Sequence, residues 1–326
     1  MLRSILKRSK ITVQSGFLTF VWNESQDRAR APWRIIAPLI PVLGIAGVVG
    51  WFLFGRVPGP ILIVISQLTL ALSAIVLFAL STRYLDRGRS IWDYGLRVDR
   101  RWALDVAVGF LIGVTAVGVP YSLGIAVGWF DRSAFLSPSP IGLWVGLLLV
   151  IIAFLCTGFW EELVFRGVLM ANAADGLRSW LSRRTLVIAV LVLQAVVFGV
   201  LHIGQWTTQA PHPAFVTTWI LAGFMFGMLY LLSNDLALPI GVHAAMNTAQ
   251  DSLVTETPPS QDGWSAIVLV EPVSESMLFG HGGIMMLSTI VLAGVLGVVW
   301  LWYSSDSNLD LWSHPAITPP TIAEEA

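Results

Sequence analysis

Charged residues are scarce in this sequence. Only 12% of its 326 residues are Asp, Glu, Lys or Arg, whereas 56% are hydrophobic. Because a soluble domain carries about 25% charged residues, the composition argues against a soluble fold. Cysteine is nearly absent, and Cys156 alone cannot form an intrachain disulfide. No internal repeat is visible, which argues against a transporter built from two related halves.

Long apolar runs fill most of the chain. Eight are present: Ile35–Phe54, Ile61–Leu80, Val106–Phe130, Ile141–Trp160, Leu186–Leu201, Phe215–Leu232, Leu236–Gln250 and Gly282–Tyr303. About 20 apolar residues in helical form cross a bilayer. The fifth and seventh runs are short and contain polar residues, so they need protein neighbours rather than lipid. We predict an all-α polytopic membrane protein with about eight transmembrane helices and a polar cavity inside the membrane.

Basic residues are concentrated on one predicted side of the membrane. With eight spans, the segments 1–34, 81–102 and 166–184 fall on the same side and hold 17 of the 19 basic residues. The segment 251–281 has five acidic residues and no basic one, and it falls on the other side. The positive-inside rule therefore predicts that both termini are cytoplasmic and that the protein lies in the cell membrane.

These patterns divide the chain into three predicted parts. Residues 1–34 form a basic cytoplasmic arm, residues 35–303 form the transmembrane domain, and residues 304–326 form an acidic tail. No signal peptide is visible before the first apolar run, so we expect that run to remain as a transmembrane helix.

Ionisable residues inside apolar runs are costly and usually mark a functional site. The first such place is "EELVFR", where Glu162 and Arg166 are four residues apart and can pair on one helix face. Glu161 lies about 100° further round the helix, so it can face a different neighbour. The alternative is that both glutamates are simply interfacial, near the cytoplasmic end of their helix.

Two further places combine histidine with apolar surroundings. His202 ends the run that contains "FGVLH", and His243 and Asn247 share one helix face in "HAAMN". Taken alone, His202 could be a hydrogen-bonded core residue, and His243 and Asn247 could be polar contacts between helices.

Together these residues form a usable catalytic set. A glutamate can act as a general base toward water, and a histidine can share that proton or bind a metal. A second histidine with an asparagine can donate hydrogen bonds to an oxyanion. One difficulty is that Glu161 and His202 lie near opposite ends of adjacent spans. We therefore predict that the fourth helix continues past Arg166, through "LVFRGVLMANA", and buries the glutamates.

In order and spacing, the three motifs resemble the CAAX-protease and bacteriocin-processing family, the type II prenyl endopeptidase or Abi group. Its signature is EExxxR, FxxxH and HxxxN, each on its own membrane helix. The corresponding segments here are 161–166, 198–202, which begins with Phe198, and 243–247. The resemblance covers roughly residues 90–250.

The resemblance implies an intramembrane endopeptidase. In that interpretation Glu161 activates water with help from His202, while His243 and Asn247 hold the oxyanion, and Glu162 and Arg166 support the site. Members of the family are often called metalloproteases, and zinc would bind Glu161, His202 and His243. We favour catalysis without a metal, because the chain has no HExxH motif and Asn247 is a poor zinc ligand.

A non-proteolytic alternative stays open, because some relatives act as regulators, scaffolds or immunity proteins. We expect the partners to be a peptide or protein substrate at the membrane and the lipid bilayer, and not nucleic acid.

Overall fold

Helices dominate the computed structural model, which describes residues 19–203, 213–259, 263–273, 281–305, 314 and 317. The helices are α1 (Ala31–Leu53), α2 (Gly59–Tyr84), α3 (Arg100–Ala126), α4 (Leu143–Glu162), α5 (Met170–Leu177), α6 (Arg183–Leu201), α7 (Pro213–Ser233), α8 (Ala237–Thr248) and α9 (His281–Ser305). A π-helical segment, Leu163–Leu169, joins α4 to α5, and a second, Ala249–Leu253, follows α8.

The structure confirms a mostly helical, multi-pass membrane protein. Each of the eight apolar runs contains a helix. Within the described ranges, six helices are long and apolar enough to cross a membrane, and α9 contributes a shorter apolar stretch, Met286–Val298. The number eight is therefore not confirmed.

Helix α8 carries two of the predicted site residues and is enclosed by protein. Its 12 residues extend only about 18 Å, well short of the roughly 30 Å hydrocarbon core. Glycines allow its neighbours to approach closely. An added Cβ at Gly109 or Gly113 of α3 would overlap the backbone of α8, and one at Gly158 of α4 would lie 2.9 Å from a carbonyl oxygen of α8. These contacts fix the position of α8.

A small sheet, which the sequence did not predict, lies between the helix ends. Strand β3 (Phe130–Ser137) pairs antiparallel with β5 (Ala266–Pro272), and β4 (Val254–Thr255) pairs parallel with β5. A separate two-residue hairpin, β1 (Trp22–Asn23) and β2 (Arg28–Ala29), precedes α1. Because β4 follows α8 almost directly, the three-stranded sheet lies at one end of the bundle, beyond the helix that carries His243 and Asn247.

Charged residues are buried together at the opposite end. This ion-pair cluster consists of Arg28, Arg34, Arg89, Arg178, Asp86 and Asp175. Asp175 Oδ2 accepts hydrogen bonds from three of the arginines, each at 3.0 Å, and its Oδ1 accepts one from Arg178 at 2.7 Å. Asp86 accepts from Arg34 at 2.6 Å. The cluster ties β2, α1, the loop after α2 and α5 into one unit.

Tyr94 extends the ion-pair cluster toward the bundle interior. Its hydroxyl donates to Asp86 Oδ2 at 2.5 Å. Burial raises the pKa of Tyr94 well above its ordinary value, and the negative charge of Asp86 raises it further. The hydroxyl therefore keeps its proton and serves as a donor.

The described tail residues reach this same end. The carbonyl oxygen of Ile317 accepts a hydrogen bond from Arg178 at 3.2 Å, and the side chain of Ile317 is buried. His314 packs edge-on against Tyr230, with ring centroids 4.6 Å apart. The N-terminal hairpin and the tail therefore meet at the arginine-rich end of the bundle.

Candidate active site

The helix that carries the two glutamates runs deep into the bundle. Helix α4, the π-helical segment and α5 form one continuous apolar helix, Leu143–Leu177. The predicted continuation past Arg166 is therefore confirmed. Glu161 is 7% exposed and Glu162 and Arg166 are fully buried, so the interfacial interpretation of the glutamates is wrong. Short π-helical segments often occur at functional sites, and this one begins directly after Glu162.

Glu162 and Arg166 form the predicted pair. Arg166 Nη1 donates to Glu162 Oε1 at 3.0 Å, and Arg166 Nη2 donates to the carbonyl oxygen of Gly223 at 3.2 Å. The guanidinium also lies over three aromatic rings, 4.5 Å from the centre of Phe198, 5.1 Å from that of Phe226 and 5.8 Å from that of Phe165. Cation–π contacts of this kind stabilise a desolvated arginine.

Glu162 has a second partner that the sequence did not predict. Its Oε1 lies 2.8 Å from His243 Nδ1. Because a carboxylate paired with arginine only accepts hydrogen bonds, Nδ1 of His243 carries the hydrogen. Glu162 therefore fixes the ring orientation of a predicted catalytic residue, in addition to pairing with Arg166.

Three polar atoms converge beside this pair. Glu161 Oε2 lies 3.8 Å from His202 Nε2 and 3.8 Å from His243 Nε2. His202 Nδ1 lies 2.7 Å from the carbonyl oxygen of Phe198, which can only accept. Nδ1 of each ring thus carries a hydrogen, and each ring turns its Nε2 atom toward Glu161. Glu161 Oε2 is buried and has no hydrogen-bond partner among the described residues.

Aromatic side chains hold both imidazole rings in place. The ring of His202 contacts Phe198, at a centroid distance of 4.2 Å, and Trp219, at 4.7 Å. The ring of His243 stacks on Phe226 at 4.9 Å, with 14° between the planes. Since three of these rings also contact one another, the imidazoles have little freedom to rotate.

The FxxxH motif predicted Phe198 as a site residue, but no motif in the sequence includes Trp219 or Phe226. These two residues and Gly223, whose carbonyl oxygen binds Arg166, are spaced at i, i+4 and i+7 on α7. That spacing places them on one face and is the only signal in the sequence that could have pointed to them.

Asn247 lies one turn beyond His243 on the same helix. Both residues line a small cavity between α7, α8 and α9. The structure thus brings all four predicted catalytic residues to one region. It also removes the difficulty over Glu161 and His202, because they lie side by side. The other histidines lie elsewhere: His314 packs on Tyr230, and the side chains of His212 and His281 are outside the described residues.

The carboxylate oxygen of Glu161 and the two Nε2 atoms are groups that can bind either a water molecule or a divalent cation. If zinc binds, Glu161, His202 and His243 are its ligands, and it would polarise the scissile carbonyl and acidify its water. Among the residues that the structure describes, no group of three or more His, Cys, Asp and Glu side chains has the spacing of a metal site. Metal-independent catalysis stays a prediction, tested below.

We expect Arg166→Ala to lower both the abundance and the activity of the protein. The substitution leaves Glu162 as a buried charge without its cation, which costs roughly 3–5 kcal/mol. Abundance is measured by quantitative blotting of membranes and folding by size-exclusion chromatography in detergent. The variant Arg166→Met with Glu162→Gln removes both charges and should recover much of the abundance. An abundant, monodisperse but inactive Arg166→Ala protein would instead assign the arginine a direct role at the site.

One family model matches the part of the chain that carries this site. Residues 143–249 match the family model described as type II CAAX prenyl endopeptidase, Rce1-like. No curated protein and no solved structure matches the chain. The matched segment contains all three motifs and every residue of the proposed catalytic set. It confirms the resemblance that the motifs suggested: residues 143–249 are similar to the Rce1-like type II CAAX prenyl endopeptidase family.

Proposed function

We propose that this protein is an intramembrane endopeptidase that hydrolyses a peptide bond of a membrane-associated protein or peptide. The observation that carries the proposal is the buried Glu161 Oε2, which has no direct donor among the residues that the structure describes and lies equally far from two imidazole nitrogens. One water molecule that hydrogen-bonds to both atoms can bridge a gap of 3.8 Å. That water can donate hydrogen bonds to the carboxylate and to one Nε2 atom.

The first chemical step follows from this placement. Glu161, assisted by His202, takes a proton from the water, and the oxygen attacks the carbonyl carbon of the scissile bond. A C–O bond forms, and the carbonyl oxygen becomes an oxyanion. The proton then passes to the amide nitrogen, the C–N bond breaks, and a carboxylic acid and an amine leave.

His243 and Asn247 hold the oxyanion. Because Nδ1 of His243 donates to Glu162, its Nε2 can donate only when the ring is doubly protonated. Glu162 on one side and Glu161 on the other supply negative charge for that imidazolium. Asn247 donates through its side-chain amide. Phe198 and Trp219 keep His202 oriented, and they exclude bulk water, which strengthens every electrostatic contact.

The arrangement of charges supports a topology for the site. The arginine-rich end, with the N-terminal hairpin and the described tail residues, lies opposite the three-stranded sheet. By the positive-inside rule, we propose that this end and both termini lie in the cytoplasm. The three-stranded sheet then lies on the opposite side of the cell membrane.

A proteomic comparison tests the proposal. Membrane and secreted proteins are compared between cells that express the wild type and cells that express Glu161→Gln at equal abundance. We expect new N-termini that depend on Glu161 and accumulate only with the wild type. Identical sets of N-termini would overturn the endopeptidase proposal and favour the non-proteolytic alternative, a membrane regulator, scaffold or immunity protein.

Zinc chelation tests the choice between water activation with and without a metal. We expect the purified protein to cleave peptides equally well with and without a tight zinc chelator, and to contain no stoichiometric zinc by elemental analysis. Stoichiometric zinc, with activity that is lost on chelation and restored by added zinc, would contradict this prediction. The endopeptidase proposal would survive that result, since Glu161, His202 and His243 would then be ligands.

A further inference from the structure

Gln194 is a fully buried amide inside the apolar helix α6. Its Nε2 atom donates to the carbonyl oxygen of Leu191, in the same helix, at 3.1 Å and to that of Gly223 on α7 at 2.9 Å. Because both acceptors are carbonyl oxygens, the opposite orientation of the amide would turn Oε1 against them. The amide is therefore fixed with its nitrogen toward Gly223.

A glutamine is a costly way to join two helices. Oε1 of Gln194 is buried and accepts no hydrogen bond from any residue that the structure describes, and an unsatisfied buried acceptor is unfavourable. Small residues already allow α6 and α7 to approach closely, since a Cβ added at Gly223 would lie 3.0 Å from the Cα atom of Ala195. A methionine at position 194 would fill the same space without a buried polar group. Unfavourable choices of this kind are expected at functional sites.

The carbonyl oxygen of Gly223 connects Gln194 to the candidate active site. The same oxygen accepts a hydrogen bond from Arg166 Nη2 at 3.2 Å. Arg166 Nη1 donates to Glu162 Oε1 at 3.0 Å, and that oxygen lies 2.8 Å from His243 Nδ1. Gln194 and Arg166 thus hold one oxygen atom from two sides, one from α6 and the other from the π-helical segment. The position of that oxygen helps to determine where the guanidinium lies.

We propose that Gln194 is a positioning residue, which acts on the imidazole ring of His243 through Arg166. It holds the Gly223 carbonyl oxygen where the guanidinium reaches it, and the guanidinium in turn holds Glu162 against Nδ1 of His243. This inference rests on the proposed endopeptidase function. If Gln194 only joined α6 to α7, its loss would lower stability and leave the chemistry of the folded protein unchanged.

Steady-state kinetics with a matched control tests the proposal. Gln194→Met keeps the length of the side chain and removes the amide, and Asn172→Leu is the control. Asn172 is also a fully buried amide, and its Oδ1 has no partner in the described part of the chain. Its Nδ2 donates to the carbonyl oxygen of Val168 at 2.9 Å and to the Tyr94 hydroxyl at 3.4 Å, so it lies beside the ion-pair cluster. For both variants, kcat and KM for a peptide from the proteomic comparison and the unfolding temperature are measured with purified full-length protein in detergent.

We expect Gln194→Met to lower kcat roughly 10–100-fold and to leave KM close to that of the wild type, since a displacement of about 1 Å in a catalytic site can cost about 100-fold. Asn172→Leu should lower the unfolding temperature and leave kcat unchanged. Gln194→Met is also added to the double variant Arg166→Met with Glu162→Gln. There it should cause no further loss of kcat, because the arginine through which Gln194 acts is absent.

A wild-type kcat for Gln194→Met, or an equal loss of kcat in Asn172→Leu, would overturn the inference and leave the endopeptidase intact. A full additional loss in the double-variant background would do the same. If wild type and Glu161→Gln both fail to cleave, the proposed function fails and the positioning role fails with it. Gln194→Asn, whose side chain is one methylene shorter and does not reach Gly223, replaces Gln194→Met if that variant does not fold. The comparison with Asn172→Leu decides the matter if the double variant is inactive.

Discussion

Glutamine in place of Glu161 should slow peptide-bond hydrolysis by roughly 10²–10⁴-fold, the usual contribution of a general base. Glutamine has nearly the same shape as glutamate but cannot accept a proton from water. Because Glu161 Oε2 accepts no hydrogen bond in the described part of the chain, and its two contacts with histidine nitrogens are 3.8 Å long, the fold loses little stabilisation. Abundance and thermal unfolding should therefore remain close to those of the wild type.

The measurement is the initial rate of cleavage by purified protein in detergent, with a peptide taken from the proteomic comparison. Cys156→Ala is the matched control, because Cys156 is half-buried on the same helix and outside the site; it should keep full activity. A Glu161→Gln protein that cleaves at the wild-type rate would refute water activation by this carboxylate.

Asn in place of Asp175 should produce the largest loss of stability outside the site. Asp175 is the common acceptor for Arg28, Arg34, Arg89 and Arg178. Removing its charge leaves several buried guanidiniums with Asp86 as the remaining anion of the ion-pair cluster. Breaking a buried ion pair in this way costs roughly 3–5 kcal/mol, so we expect a clearly lower unfolding temperature in detergent.

Asp27→Asn is the control for this prediction. Asp27 pairs with Arg87 on the surface, where the two side chains are 70% and 49% exposed. Exposed ion pairs contribute about 0–1 kcal/mol, so this variant should unfold near the wild-type temperature. Equal unfolding temperatures for Asp175→Asn and the wild type would mean that the charge of Asp175 is not needed to stabilise the four buried arginines.

The candidate site could be predicted from the sequence because a charged residue within an apolar run is visible from its immediate neighbours. Glutamates and histidines stand out in apolar runs, and the Glu162–Arg166 spacing lies within one helix turn. The continuation of α4 was visible as an apolar stretch, and it placed Glu161 at the depth of His202. The contact between Glu162 and His243 joins residues that are 81 positions apart, and no spacing rule connects them.

Other features were hidden for related reasons. The ion-pair cluster joins residues up to 147 positions apart. In the sequence, its arginines resembled the exposed positive charges that the positive-inside rule places in the cytoplasm. Strands β3 and β5 lie in segments that resembled loops, and they pair across more than a hundred residues. The π-helical geometry is invisible to hydropathy, because it changes the hydrogen-bond ring and leaves the composition unchanged.

The continuous helix from Leu143 to Leu177 also restricts how this chain can change by insertion and deletion. Glu161 and Glu162 lie in the middle of this helix, where they contact His202 and His243. Asp175 lies near its end and binds the arginines of the ion-pair cluster. Removing one residue from the α-helical stretch between Met170 and Ala174 would turn Asp175 by about 100° about the helix axis and draw it in by about 1.5 Å. Asp175 would then face away from its arginines while the glutamates stayed in place. The number of residues between Glu162 and Asp175 is therefore constrained by contacts at both ends of this stretch.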